Sequence, residues 1–204
     1  MATPSTPAPR SAPNPDRRSE RARQAILDAA LELCGEQLYA GLTMEGIAKR
    51  AGVGKQTIYR WWPSKAAILL EAIEERGRST LDFPDTGNLE ADLRTQMTQV
   101  AQAFASPMFA AYSKGLIAAA QSDPDIAKAV VETIINPRVD LCRERLSKAQ
   151  SAGELREDID LADLVELLYA PLYYRLLLHT RPVTNDQVDT ILNLALNGAA
   201  QDKK

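Results

Sequence analysis

The chain reads as an all-α protein of about nine helices, and three observations carry that reading. Apolar residues recur at helical spacing through most of the length, no stretch alternates as a strand would, and prolines and glycines fall mainly between the periodic segments. The 204 residues are 45% hydrophobic and 25% charged, which is enough for one or two compact domains. No run reaches the ~18 uninterrupted apolar residues of a spanning helix. The richest, Leu167 to Leu178, contains Pro171 and Arg175. The first fifteen residues are rich in Pro and Ser and lack the apolar centre of a signal peptide. Only Cys34 and Cys142 occur, so neither a disulfide scaffold nor a zinc site is expected. A cytoplasmic location with no membrane partner is the simplest expectation.

Five of the twelve prolines lie in residues 1–16, which read as a disordered arm. Helical periodicity begins at Arg17. Ile26, Ala30, Leu33 and Gln37 share a stripe, Leu27, Leu31, Cys34 and Leu38 lie beside it, and Gly41 ends the segment. Thr43 stands as an N-cap before Met44, Ile47 and Ala48. Ala51-Gly52-Val53 makes a turn, and Gly54 to Trp61 forms a short helix. Pro63 suits the first turn of a fourth helix, which runs to Gly77. Residues 78–88 connect to a second helical region. Its segments are Leu89–Ala105, Pro107–Gln121, a long one from Asp123-Pro124 to about Ala152, Leu161–His179 and Thr184–Ala199. The long segment is expected to be interrupted at Asn136-Pro137, where Pro137 predicts a kink or break, and Pro171 lies inside the next. The expected organisation is an arm (1–16), a first domain of short helices (17–77), a loop (78–88), a second helical domain (89–199) and a tail (200–204).

Charge follows the same division. Residues 1–65 hold ten basic and six acidic side chains, a net of +4. The remaining residues hold 14 basic and 21 acidic, a net of −7. A basic third suits a polyanionic partner.

Residues 43–65, TMEGIAKRAGVGKQTIYRWWPSK, spell helix, glycine turn, helix and the start of another helix, which is a helix-turn-helix arrangement. Val53 and Ile58 face inward. Lys55, Gln56, Thr57, Tyr59, Arg60 and Trp61 are left for DNA. Gln reads adenine bidentately, Arg or Lys reads guanine, and a Thr methyl touches the thymine methyl. Thr43, Tyr59 and Lys65 suit phosphates, which set register without reading sequence. In the arm and first helix, Arg10, Arg17, Arg18, Arg21 and Arg23 are candidates for further backbone or minor-groove contacts.

This segment resembles the DNA-binding domain of the TetR family of bacterial transcriptional repressors. Thr43, Ile47, Ala48, Ala51, Gly52, Val53, Gly54, Ile58, Tyr59, Ser64 and Lys65 stand where the family pattern places such residues. Trp61 and Trp62 depart from it, where the family has His or Tyr and then Phe. The resemblance covers about residues 20–70. The run from Ala170 to Thr184 also resembles the ligand-binding and dimerisation domain of one subgroup. The resemblance implies a ligand-released repressor acting as a homodimer on a palindromic operator, with double-stranded DNA and a small effector as partners.

Other motifs fail on chemistry. Gly52 to Thr57 misses the Walker pattern because Lys49 and Gln56 occupy its first Gly and its Ser or Thr positions. His179 is the single histidine, so no His cluster or second catalytic His exists. No catalytic residue, metal site or cofactor is expected, and the protein is read as not an enzyme.

In the second region, Met97, Val100, Phe104 and Met108 share one stripe and Phe109, Tyr112 and Leu116 another. With Tyr169 and Tyr173 they are the candidate lining of a pocket for a small, mainly apolar effector. The same stripes also read simply as core. Leu164, Leu168, Leu172 and Leu176 on one helix, and Val188, Ile191, Leu192 and Ala195 on the last, are the expected dimer interface. Two recognition helices about one DNA turn (~34–36 Å) apart read a palindrome. Two alternatives stay open: a DNA-binding dimer without an effector, and a helical carrier or enzyme.

Overall fold

The computed structural model describes residues 15–78 and 83–199. Most of the expected arm, Arg10 included, and the tail 200–204 lie outside the described residues. Ten α-helical segments follow in order: α1 (Pro15–Gly41), α2 (Met44–Ala51), α3 (Lys55–Tyr59), α4 (Lys65–Arg78), α5 (Leu89–Ala105), α6 (Pro107–Ala120), α7 (Pro124–Val130), α8 (Asn136–Ser151), α9 (Leu161–Leu178) and α10 (Asn185–Ala199). A π-helical turn, Val131–Ile135, joins α7 to α8 without a break in helical backbone. Counted as one rod, α7 to α8 makes nine helices, and the described residues contain no strand. No described helix is long and apolar enough to cross a membrane.

Local chemistry sets the boundaries. Thr43 Oγ1 accepts from the Gly46 N–H at 3.0 Å and starts α2. Gly52 ends it with φ +67°, a left-handed conformation that glycine adopts without penalty. Ser64 Oγ accepts from the Ala67 N–H at 3.2 Å, so Ser64 caps α4. The helix therefore starts after Pro63 rather than on it. Asn88, Asp123 and Asp160 cap α5, α7 and α9 in the same manner. Pro137 lacks the N–H that would close the ladder one turn back, and the distortion it predicts is the π turn just before it. Pro171 leaves α9 continuous.

Leu38 departs from the expected apolar face of α1. Its backbone takes φ 61°, ψ 170°, α1 kinks there, and the side chain is exposed. The kink lets Tyr39 to Leu42 turn back towards α4.

Two apolar clusters fill the interior. The first joins Ile26, Leu27, Leu31, Ile47, Ile58, Ile68 and Leu69 of the first four helices, and Trp62 between α3 and α4, to Tyr112 and Leu116 of α6 and Ile134 of the π turn. The second is built by α5, α8, α9 and α10 around Leu93, Met97, Leu146, Leu168, Leu172, Val188 and Leu192. Phe109 packs against both. The helices before residue 78 thus lean on α6 and share its core.

Candidate nucleic-acid interface

Thr43 lies at the N-terminal end of α2, Lys55, Gln56, Thr57, Tyr59, Arg60 and Trp61 lie on α3 and its C-terminal turn, and Lys65 starts α4, whereas Arg21 and Arg23 lie on α1 and the side chains of Arg10, Arg17 and Arg18 lie outside the described residues. Ile58 is fully buried and pins α3 to the core, with Val53 half-buried beside it. Lys55, Gln56, Tyr59 and Arg60 are exposed, and Thr57 is half-buried. This alternation follows from a five-residue helix with a single apolar anchor. Thr43 is exposed, and its capping oxygen still has a hydroxyl proton to give.

Trp61 is half-buried, edge-on to Trp62 at 5.4 Å between centroids, with the Arg60 guanidinium 5.1 Å from its ring centre. That stacking pre-orients Arg60. Trp62 is buried and donates its indole N–H to Glu71 at 2.7 Å. Arg23 of α1 reaches the same Glu71 and also Glu75 at 2.7 and 3.2 Å, tying α1 to α4. Arg23 is therefore engaged within the fold.

Lys65 is turned inward. Its ammonium donates to the carbonyls of Tyr39 at 3.0 Å and Leu42 at 2.8 Å and lies 4.4 Å from the Tyr39 ring centre. It closes the end of α1 and has one proton left for another acceptor. Sequence reasoning placed Lys65 at the surface because carbonyl partners carry no signature in residue type. It also missed Glu45, which pairs with Lys55 at 2.6 Å. The hydrogen bond from Lys55 holds the Glu45 carboxyl below the usual carboxylate range.

Comparison with known proteins matches this geometry. Residues 26–72 match the family model described as bacterial regulatory proteins, tetR family. Residues 83–195 match tetracyclin repressor-like, C-terminal domain. The chain belongs to the TetR family of transcriptional regulators. It is 34% identical to the uncharacterized HTH-type transcriptional regulator YdeS of Bacillus subtilis, over 89% of this chain and 91% of that one. It is 30% identical to the DNA-binding transcriptional repressor TetR of Mycobacteroides abscessus, over 79% and 85%. The crystal structure of TetR family transcription regulator SCO0332 superposes with a TM-score of 0.72 at 36% identity, over 88% and 99% of the two chains.

Within this TetR-family chain the predicted effector residues are divided between the two cores. Tyr112 and Leu116 belong to the first core, and Met97 and Phe104 to the second. Val100, Tyr169 and Tyr173 are half-buried against the second, Phe109 touches both, and Met108 is exposed. Four aromatics make a continuous run: Tyr173 to Phe104 at 4.9 Å, Phe104 to Phe109 at 5.9 Å, and Phe109 to Tyr112 at 5.0 Å. The Tyr169 hydroxyl donates to Gln96 Oε1, and burial pushes its pKa well up. A polar groove of about 330 Å³ between α5 and α10, lined by Glu90, Arg94 and Asp189 among others, contains none of the predicted effector residues.

The expected dimer residues require correction. Leu164, Leu168, Leu172, Leu176, Val188, Ile191, Leu192 and Ala195 are all buried within the chain itself, as the seam between α9, α10 and α5. They cannot also form an outer contact face. The opposite side of the same helices is the exposed one: Leu167, Tyr174, Leu178 and Leu194 are 55% to 71% exposed. The first three share a stripe at i, i+7 and i+11. Periodicity picked the stronger stripe, and the stronger stripe is the monomer's own core.

Proposed function

We propose that the chain is a ligand-released repressor that binds a palindromic operator as a homodimer. The observation that carries this reading is the exposed set Lys55, Gln56, Tyr59 and Arg60 on a helix anchored by the buried Ile58. Gln56 reads base edges, while Thr43, Tyr59 and Lys65 hold phosphates. Residues 17–77 act as the DNA-binding unit and 89–199 as the effector and dimer unit, and the protein works in the cytoplasm beside its DNA. The stripe Leu167, Tyr174, Leu178 with Leu194 meets its own copy, because an isologous contact sets the two recognition helices a fixed distance apart.

Coupling between the units runs through α6. Gly115 brings α6 so close to α1 that a Cβ there would sit 2.5 Å from Tyr39 Cβ. Tyr39 in turn holds Lys65, and Arg76 of α4 bonds the Tyr112 hydroxyl. Movement of α6 therefore shifts the start and the end of α4 together. An effector acts by binding one of two α6 positions more tightly.

Selection of bound sequences from a random duplex pool tests the reading. Gln56→Ala broadens the selected site while affinity for non-specific DNA stays. Tyr59→Ala weakens all sequences alike and lowers the salt dependence. An unchanged sequence preference in Gln56→Ala contradicts the base-reading role. Sedimentation of Leu194→Lys, expected to shift the dimer towards monomer, checks the interface.

A further inference from the structure

Residues 43–65 carry five basic side chains and a single acidic one, Glu45. A carboxylate set against phosphates costs affinity, so an acid in such a segment calls for a reason. The ion pairs of α2 and α3 narrow it. Arg50, near the end of α2, bonds Glu32 and Glu36 of α1 at 3.1 and 2.8 Å and ties α2 to its neighbour. Glu45, in the first turn of α2, turns to α3 instead. Its carboxylate accepts from the Lys55 ammonium at 2.6 Å, at the first residue of that helix. Both side chains are 56% exposed, and so open a pair adds little to stability. The two helices are already joined through the first core by the buried Ile47 and Ile58.

The pair stands among the residues read as DNA contacts. Glu45 is two residues from Thr43, Lys55 directly precedes Gln56, and all four are exposed. An ammonium only donates and an ionised carboxylate only accepts. In the major groove, lysine's favoured base is guanine, through the acceptors O6 and N7, and glutamate's is cytosine, through its N4 amino group. One G·C pair satisfies both at once. We propose that Glu45 and Lys55 act as one unit that reads a G·C pair, Lys55 donating to guanine and Glu45 accepting from the cytosine amino group. The proposal rests on the reading of α3 as the base-reading helix and adds the first turn of α2 to it.

Selection of bound sequences from a random duplex pool by the full chain tests it. The unaltered chain is expected to favour G·C at one position of each half-site by about tenfold. Glu45→Ala and Lys55→Met each lose that preference, and the double variant loses no more than either alone. Gln56→Ala keeps it and broadens a different position. The exchange Glu45→Lys with Lys55→Glu preserves the ion pair and the net charge, and it is expected to select C·G there. All of these proteins melt close to the unaltered chain, because the pair is exposed. If Glu45→Ala raises affinity for every duplex alike and leaves the selected site unchanged, Glu45 is a brake on non-specific binding. The proposal then falls, while the base-reading role of α3 stands. A lower melting temperature with an unchanged site makes the pair a tie between α2 and α3 and contradicts the proposal equally. A selected site untouched by Gln56→Ala as well as by both single variants overturns the reading of α3 and, with it, this unit.

Discussion

Gln56 and Gln96 carry the same amide and meet opposite surroundings. Gln56 stands exposed on α3, with no obligation to the rest of the fold. Gln96 is buried on α5 and accepts from Tyr169. The contrast extends to the two regions that hold them. Around α3 the polar groups face outward and their pairings are exposed, as with Lys55–Glu45 and Arg50–Glu36. In the body they face inward and are locked. Asp92 is fully buried and accepts from the Thr86 N–H and hydroxyl and from Arg145, and Gln187 donates to the Pro171 carbonyl at 2.8 Å. A surface that must exchange water for phosphate keeps its groups loosely paired. A body that must hold discrete packings satisfies most of its groups internally, although among the described residues the buried Gln187 Oε1 has no partner.

The largest effect that would sharpen this contrast belongs to Asp92→Asn. Burial alone would raise the Asp92 carboxyl, but hydrogen bonds from Thr86 and Arg145 outweigh it and hold its pKa below the ordinary aspartate value. A depressed carboxyl contributes stability that is present above its unfolded value and lost as pH falls through the folded one. Asp92→Asn should cost about 3 kcal/mol at neutral pH by leaving Arg145 underpaired. It should also flatten the loss of stability below pH 4, the side on which the unfolded carboxyl gains its proton. Urea unfolding at pH 7 and at pH 3 reads both.

Gly115→Ala comes next. The added methyl collides with Tyr39 across the α1–α6 contact, at a cost of about 1–3 kcal/mol. Because Tyr39 also holds Lys65, operator affinity should fall with stability. Thermal melting combined with a DNA titration separates this outcome from a purely local one, in which affinity stays unchanged.

Leu38→Gly tests the kink. A leucine at φ 61°, ψ 170° occupies a region suited to glycine. Its side chain is exposed, so little packing is lost. Net stabilisation of about 1 kcal/mol is expected by melting, the strain relieved being partly offset by the glycine's greater unfolded freedom.

The smallest effect belongs to Glu45→Gln. Both partners of its ion pair with Lys55 are exposed, so stability should hardly move. Non-specific DNA affinity should rise and its salt dependence steepen, since Lys55 no longer has to leave a carboxylate. Electrophoretic shifts at several salt concentrations measure this.

The same contrast explains what could be read without coordinates. Helix order, the turn at Gly52 and the exposed face of α3 were legible because caps, glycines and periodicity act within a few residues. A distortion at Pro137 was legible from the proline, though its form, a π turn in continuous helical backbone, was not. Leu38 looked like another apolar contact, since a left-handed leucine leaves no mark on spacing. Lys65 looked like a surface lysine, since its partners are backbone carbonyls. The leucine stripes of α9 and α10 looked like a dimer face because periodicity identifies a buried side without saying what buries it. The effector residues were the least legible, because packing and recognition call for the same rings, and Phe104, Phe109, Tyr112 and Tyr173 pack against one another.

The most direct test of the central claim, a dimer reading DNA through α3, uses Trp61 and Trp62. They are the two tryptophans of the chain and lie immediately after that helix. Their fluorescence should be followed while duplexes from the region upstream of the protein's own gene are added at increasing salt. The account predicts a saturable change at two chains per site that survives competitor DNA and is lost in Gln56→Ala. An equal response to every duplex, vanishing at moderate salt and unaltered by Gln56→Ala, would contradict it.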